Sequence, residues 1–369
     1  MVSTLSISLK NQTNSDQVYA YITGQALENG NHVCIIQADG KTPHYPDNPP
    51  QILTPLSKDC GIKLGSPGST TTVTIPQLVG GRIWFSMGKR LIFLINPGPA
   101  IVEPSVTNPS DPNINTEWAF CEFTFANNSL YANISYVDFV SRPISLALTP
   151  ESGPDQKVLG LKSGGLTTIC DGLEAQSKKD NQDWHKLVYT FEGKRLRALS
   201  PNHGIVMNGG NLFKGYYEPY VNDVWSKYVS SPVVVDTQAQ WGKLEGRVVN
   251  GELEFPRHGK FAKPSTADIF SCSTGPFANN AEALGPLTAR ICAAFHRSTI
   301  HMNPYQPFEE KIENYYKYPI TNHYSRLVHE ANLDGRGYAF PYDDVPSAGR
   351  VDQSGFVNAS PKSFTVTIG

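Results

Sequence analysis

The chain has 369 residues, with 31 Lys and Arg against 33 Asp and Glu for a formal charge of −2. That balance excludes the basic footprint of a nucleic-acid binder and the polybasic signal of a membrane-surface protein. Its length exceeds one ordinary hydrophobic core, so two domains are expected, and no apolar run approaches the roughly 20 residues of a membrane span. Thirty-one glycines and 28 prolines beside 17% charged residues describe a turn-rich chain in which strands outnumber long helices.

The opening MVSTLSISLKNQTNSDQVYAYITG alternates apolar and polar residues around an N-Q-T-N-S-D break and reads as strand, turn, strand. It lacks a basic region followed by an apolar one, so no signal peptide is visible. Either this is the mature form of an extracellular or cell-wall protein, or the chain is not secreted by that route and a cytoplasmic location stays open. From Val18 to Pro150 the runs HVCII, TTTVTI, GRIWFS, RLIFLI, CEFTF and ISLAL are separated by Gly, Pro, Asn and Asp. This is the pattern of a barrel or sandwich. Asn96 to Asn115 is too proline-rich for strand or helix and is expected to be a long ordered loop, of the kind that often borders a binding site.

After about Pro150 the rhythm changes. Leu187 to Leu199 and Gly246 to Phe255, the latter turning at Asn250-Gly251, read as hairpins. Helical spacing marks Glu218 to Val229, Pro286 to Arg297, and Asn322 to Asn332 with Asn322 as N-cap. Gly337 to Gly369 returns to strands. The expected architecture is mainly β with an α+β part: a β-barrel or sandwich plus a smaller mixed α/β domain, with a wide cleft between them.

Two carboxylates stand out on apolar, aromatic segments: Glu122 between Cys121 and Phe123, and Asp138 between Val137 and Phe139. Burying a carboxylate costs free energy, so strands of this kind carry acids where one face meets a groove. Two acids in unlike surroundings can serve as proton donor and base, the minimum equipment of a glycosidase. Thr124 projects from the same strand face as Glu122. If Asn127 and Asn128 form a turn, Glu122 faces a residue near Asn133, which leaves Asp138 five residues on, or about 17 Å at a strand's rise. Inverting glycosidases separate their carboxyl groups by roughly 6.5 to 9.5 Å. The chain must therefore bend, bulge or turn near Asp138, or sheet twist must bring the two together.

Trp84, Phe85, Phe123, Phe125, Tyr136 and Phe139 are candidate walls for a sugar-binding cleft, since sugar rings stack on aromatic faces; the same rings also suit a core. Asp343 and Asp344 fit an acidic cleft or an exposed turn before Pro346. The pairs His296/His301 and His323/His329 lack H-E-x-x-H spacing, so no metal is expected, nor any other cofactor. Six cysteines (Cys34, Cys60, Cys121, Cys170, Cys272 and Cys292) without a C-x-x-C pair leave free core thiols or one to three bridges open.

The blocks CEFTF and YVDFV, with Glu122 and Asp138 sixteen residues apart, occur in order with GGRIWFS, PSVTNPSDPN, KPSTADIFSC, AAFHRST and GYAFPYDDV. Together they resemble glycoside hydrolase family 64, the laminaripentaose-producing endo-β-1,3-glucanases with a thaumatin-like barrel. The resemblance implies a discontinuous thaumatin-like domain of residues 1–150 and 336–369, with residues 151–335 as an inserted mixed α/β domain. It implies a monomer that hydrolyses internal β-1,3-glucosidic bonds by inversion, with Glu122 as general acid, Asp138 as general base and laminaripentaose as product. Thr124, Asn127, Trp84, Phe125, Tyr136 and Asp343 are the candidate substrate-binding residues. Where the family tends to carry an Asn two residues after the Thr, this chain has Ala126, followed by Asn127 and Asn128. The alternative function is a non-catalytic β-1,3-glucan-binding module of defence or cell-wall type.

Overall fold

The computed structural model describes residues 3–278, 281–346 and 352–369. Its first large sheet has five strands in the order Gln156–Val158, Ile144–Pro150, Pro361–Ile368, Leu5–Asn11, Thr70–Ile75. Only Leu5–Asn11 and Pro361–Ile368 run parallel. Strict alternation puts Leu5, Ile7 and Leu9 on one face, beside Val73 and Ile75 on one side and Phe364, Val366 and Ile368 on the other; all are buried.

The second sheet has eight strands. Seven follow the order Phe356–Ala359, Ser129–Asn133, Glu117–Ala126, Leu78–Met87, Val18–Ala26, His32–Ile36, Pro43–His44, and Ile62–Lys63 also pairs with Val18–Ala26. One face, bearing Ala20, Ile22, Ile83, Phe85, Ala119, Cys121, Phe123 and Phe125, shares a core with the five-stranded sheet. The two sheets make a sandwich. Of the barrel and the sandwich expected, the sandwich forms: each described sheet ends in edge strands, and none closes into a barrel.

The wide sheet is buried on its other face too. Tyr21, Trp84, Trp118 and Phe120 pack there with Leu91, Phe93, Val106, Phe139 and Leu199. Trp118 and Phe139 meet edge to face at 4.7 Å between ring centres, and Phe120 and Phe139 lie 5.9 Å apart. This aromatic layer ties the wide sheet to the hairpin Val188–Phe191 and Lys194–Leu199, whose second strand pairs with Phe139–Val140.

The three predicted helices are present as Glu218–Ser230, Leu284–His296 and His323–Ala331, the last capped by Asn322, which accepts from the Ser325 amide. Gly165–Asp180, Pro201–Met207 and Thr266–Ser271 are further helices that periodicity did not reveal. The longest of them starts behind Gly164 without a side-chain cap and buries only a broken stripe of Ile169, Cys170 and Leu173 among its larger side chains. Both predicted hairpins form, with Asn250 and Gly251 at positive φ in the second. The proline-rich stretch is a loop from Glu103 onward, as expected, but its start belongs to a hairpin. Leu94–Asn96 pairs with Ala100–Val102, with Pro97 and Pro99 confined to the connecting turn, where they remove no ladder donor. All six cysteines are free and buried.

Buried residues of the sandwich and of the helical part belong to one contiguous cluster. The last strand of the chain lies between two early ones in the five-stranded sheet.

Gly81 has a specific packing reason. It stands directly opposite Phe123, and an added Cβ would come within 2.5 Å of that buried ring. Gly81→Ala is expected to lower stability by about 1–3 kcal/mol, the usual cost of overpacking, measured by denaturant unfolding against the parent chain.

Candidate active site

Glu122 owes its position to the register of four strands. Asn127 and Asn128 both take positive φ in a two-residue turn, which sets Glu122 opposite Asn133. On the other side Glu122 pairs with Arg82, and Arg82 pairs with Thr23. Thr23, Arg82, Glu122 and Asn133 thus form a row across the wide sheet, just beyond the aromatic layer. The same strand face carries Trp118, Phe120, Glu122 and Thr124 in succession. The first two are buried and the last two are partly open.

This end of the face is a groove of about 450 Å³ lined by Arg82, Glu103, Glu122, Thr124, Tyr131 and Asn133, floored by Gly80, Gly81 and Phe123. Arg82 lies over the rings of Trp84 and Phe120, at 5.6 and 5.2 Å from their centres. It donates to Glu103, and its Nη2 reaches Oε1 of Glu122 at 3.3 Å. Tyr131 is exposed and stacks on Phe356 at 5.2 Å, presenting an aromatic platform at the groove's edge.

Asp138 does not lie on a strand, which corrects the sequence reading. The chain bends at Val137 and Asp138 because it changes partners there: Tyr136 donates to the Tyr338 carbonyl, while the Asp138 carbonyl accepts from Ser200 beside the new strand pair. Phe139 then enters the aromatic layer against Phe120, two residues from Glu122 on the same face. Asp138 is outside the residues lining the groove, and its carboxylate is 37% exposed. Its Oδ1 is 3.3 Å from Nε2 of His203. Burial holds the His203 imidazole below its ordinary pKa, against the pull of Asp138. Ser200 Oγ accepts from the His203 amide and lies 3.1 Å from the ring's Nδ1.

Of the other candidates, Thr124 lines the groove. Asn127 is exposed at the hairpin tip, outside the lining residues. Trp84, Phe125 and Tyr136 are corrected to core residues, all at most 3% exposed, because apolar strand faces bury their rings on both sides of the wide sheet. The other three rings named as walls, Phe85, Phe123 and Phe139, are likewise core. Asp343 is also corrected. It is fully buried, 3.2 Å from Arg297 Nη2 and 3.0 Å from His329 Nε2, while its neighbour Asp344 is exposed.

Arg82, Glu103, Tyr131, Asn133 and His203 were missed as site residues. GGRIWFS and the proline-rich loop contain the first two, and Asn133 was located as the cross-strand partner. Nothing local marks His203. Among the described residues no group of three or more His, Cys, Asp or Glu is arranged to hold a metal ion, and no helix is long and apolar enough to cross a membrane.

The β-1,3-glucanase model of glycoside hydrolase family 64 matches residues 3–368. The chain belongs to glycoside hydrolase family 64. A glucan endo-1,3-β-glucosidase of Cellulosimicrobium cellulans is 31% identical over 285 residues, covering 75% of this chain and 50% of that protein. The chain thus spans about half the length of the relatives it matches in sequence. A laminaripentaose-producing β-1,3-glucanase solved with laminaritetraose superposes with a TM-score of 0.87 at 29% identity, covering 99% of this chain and 98% of that one. The family 64 β-1,3-glucanase domain of Clostridium beijerinckii gives 0.76 at 21% identity, covering 100% and 99%, a likeness of fold.

In this family 64 chain the Asp343 cluster is a pH-sensitive structural pair. Burial disfavours the His329 cation, but the Asp343 carboxylate outweighs it and raises the imidazole pKa above its ordinary value; Asp343 is lowered in turn, against its own burial. A raised histidine contributes stability that is complete below the unfolded value, about 6.5, and is lost as pH rises through the folded one. His329→Gln should remove that part of the pH dependence, so that the drop in Tm from pH 6 to pH 9 becomes smaller than in the parent. An unchanged drop would show that other groups carry it.

Proposed function

We propose that this chain is an endo-acting β-1,3-glucan hydrolase that works by inversion and releases laminaripentaose as its main product. The observation that carries the reading is the placement of Glu122 in an open groove, among Thr124, Asn133 and the Tyr131 platform, with Asp138 at the bend that follows the same hairpin. An open groove suits a polymer entering at internal positions, and the near-neutral charge of the chain suits an uncharged one. Family membership, together with the relative solved with laminaritetraose, supports β-1,3-glucan as that polymer.

In the proposed step Glu122 gives its proton to the leaving glucosidic oxygen as the bond from that oxygen to the anomeric carbon breaks. Asp138 takes a proton from a water whose oxygen forms the new bond on the opposite face of the sugar. The His203 imidazole, which burial keeps neutral, lies beside the Asp138 carboxylate without neutralising it. Tyr131 offers its ring to a sugar face, and Thr124 a hydroxyl on the side of Glu122.

The proposed organisation is a thaumatin-like unit of residues 1–150 and 336–369 with residues 151–335 inserted, and with the glucan lying across a wide cleft between the two. The position of Pro361–Ile368 between Leu5–Asn11 and Ile144–Pro150 supports the discontinuity. A polymer substrate favours an extracellular or cell-wall place of action.

Glu122→Gln and Asp138→Asn should each reduce kcat on linear β-1,3-glucan by about 10²–10⁴, with unchanged Tm and retained glucan binding. Near-parental turnover by either would remove that residue's role. Proton NMR at early times should show the new reducing end as the α-anomer. A β-anomer would replace inversion with a covalent intermediate, and binding without any product would leave the non-catalytic glucan-binding module.

A further inference from the structure

Arg82 poses a chemical problem for the reading above. An opposite charge beside a carboxyl group favours its ionised form, whereas a general acid must carry a proton when substrate is bound. Arg82 sits directly across the strand pair from Glu122, and stacking on Trp84 and Phe120 holds its guanidinium in place.

The contacts of Arg82 are unequal. Its Nε and Nη2 reach one oxygen of Glu122, Oε1, at 3.4 and 3.3 Å, the long end of hydrogen bonding. Its Nη1 makes a much closer contact to Oε2 of Glu103, which arrives from the loop after Ala100–Val102. Among the described residues the other oxygen of Glu122, Oε2, accepts no hydrogen bond.

We propose that Glu103 is a positioning residue for glucan hydrolysis: it takes up the charge of Arg82 and so leaves Glu122 able to carry the proton that the leaving oxygen needs. The inference rests on Glu122 being the general acid. One guanidinium between two carboxylates leaves a net negative site. Glu103 records this, since burial pushes its carboxyl up, Arg82 pulls it down and the charge of Glu122 adds to the rise. The remaining groups facing Glu122 leave this balance to the trio. Asn133 is neutral, Tyr131 and Tyr338 are phenols that burial holds protonated, and Cys121 behind the strand is a buried thiol pushed well above its ordinary value. Asp352 and Asp344 act on Tyr131, and Asp344 and Asp343 on Tyr338.

The two ends of the contact predict opposite shifts. The test is kcat/KM on linear β-1,3-glucan against pH for the parent, Glu103→Gln and Arg82→Gln, with Glu122→Gln as reference and Tm recorded for each. Glu103→Gln keeps the shape but frees Arg82 for Glu122, so the basic limb should move to lower pH by about one unit. Arg82→Gln removes the cation, and the same limb should move upward. Parental limbs in a folded Glu103→Gln, whatever its Tm, would overturn the proposal, as would an unmoved limb in Arg82→Gln should the first variant not fold. Near-parental turnover by Glu122→Gln would remove the acid assignment itself, an outcome distinguishable from a failure of Glu103 alone.

Discussion

The strand Glu117–Ala126 is closed on both faces for most of its length, and the rest of the molecule is arranged around that constraint. Its residues Ala119, Cys121, Phe123 and Phe125 fill the core between the two sheets, while Trp118 and Phe120 fill the aromatic layer on the other side. A slip of one residue would exchange the two sets and drive Glu122 into the sandwich core. Burial of so many large side chains, each worth about 1.5–3 kcal/mol when fully covered, therefore places one carboxylate with little freedom. The groove begins where the aromatic layer ends, so the strand passes from packing to chemistry within two residues.

Electrostatics gives the two acids different surroundings. Glu122 shares a guanidinium with Glu103 in a groove of charged and polar side chains. Asp138 lies at a chain bend, beside an imidazole that burial keeps neutral. One acid thus meets a compensated cation and the other a neutral ring. Such unlike settings are the physical basis for dividing donor and acceptor roles between chemically similar groups. The buried Arg297–Asp343–His329 cluster is different in kind, because its carboxylate is sealed from solvent and its charge is consumed by structure.

Much of this was legible in the residues. The alternation of SFTVTIG and CEFTF, the paired asparagines at 127 and 128, and the Asn322 cap each have a local cause and form as expected. Strand rise left a bend, bulge, turn or sheet twist open near Asp138, and the chain bends there. What could not be read was long-range. Whether Trp84 or Tyr131 faces ligand depends on which layer covers each strand face, and both are aromatic residues on amphipathic strands. The buried state of Asp343 depends on Arg297 and His329, which meet it only in the folded chain. Pairing of His203 with Asp138 likewise arises from two distant segments, and no spacing encodes it. The helix Gly165–Asp180 was hidden for a local reason, having neither a cap nor a continuous apolar stripe.

Placement of Pro361–Ile368 within the five-stranded sheet has a bearing on how the molecule is made. Removing that strand leaves two separate pairs, Leu5–Asn11 with Thr70–Ile75 and Ile144–Pro150 with Gln156–Val158, each with an exposed edge and half a core. During synthesis the earlier strands must wait on the ribosome for a partner that emerges after the helical part has been made. Contacts of such high sequence separation are slow to form, and unpaired edges are open to association with other chains in the interval. The strand that closes the sheet is therefore a kinetic checkpoint: the nascent chain stays vulnerable to aggregation until Pro361–Ile368 docks.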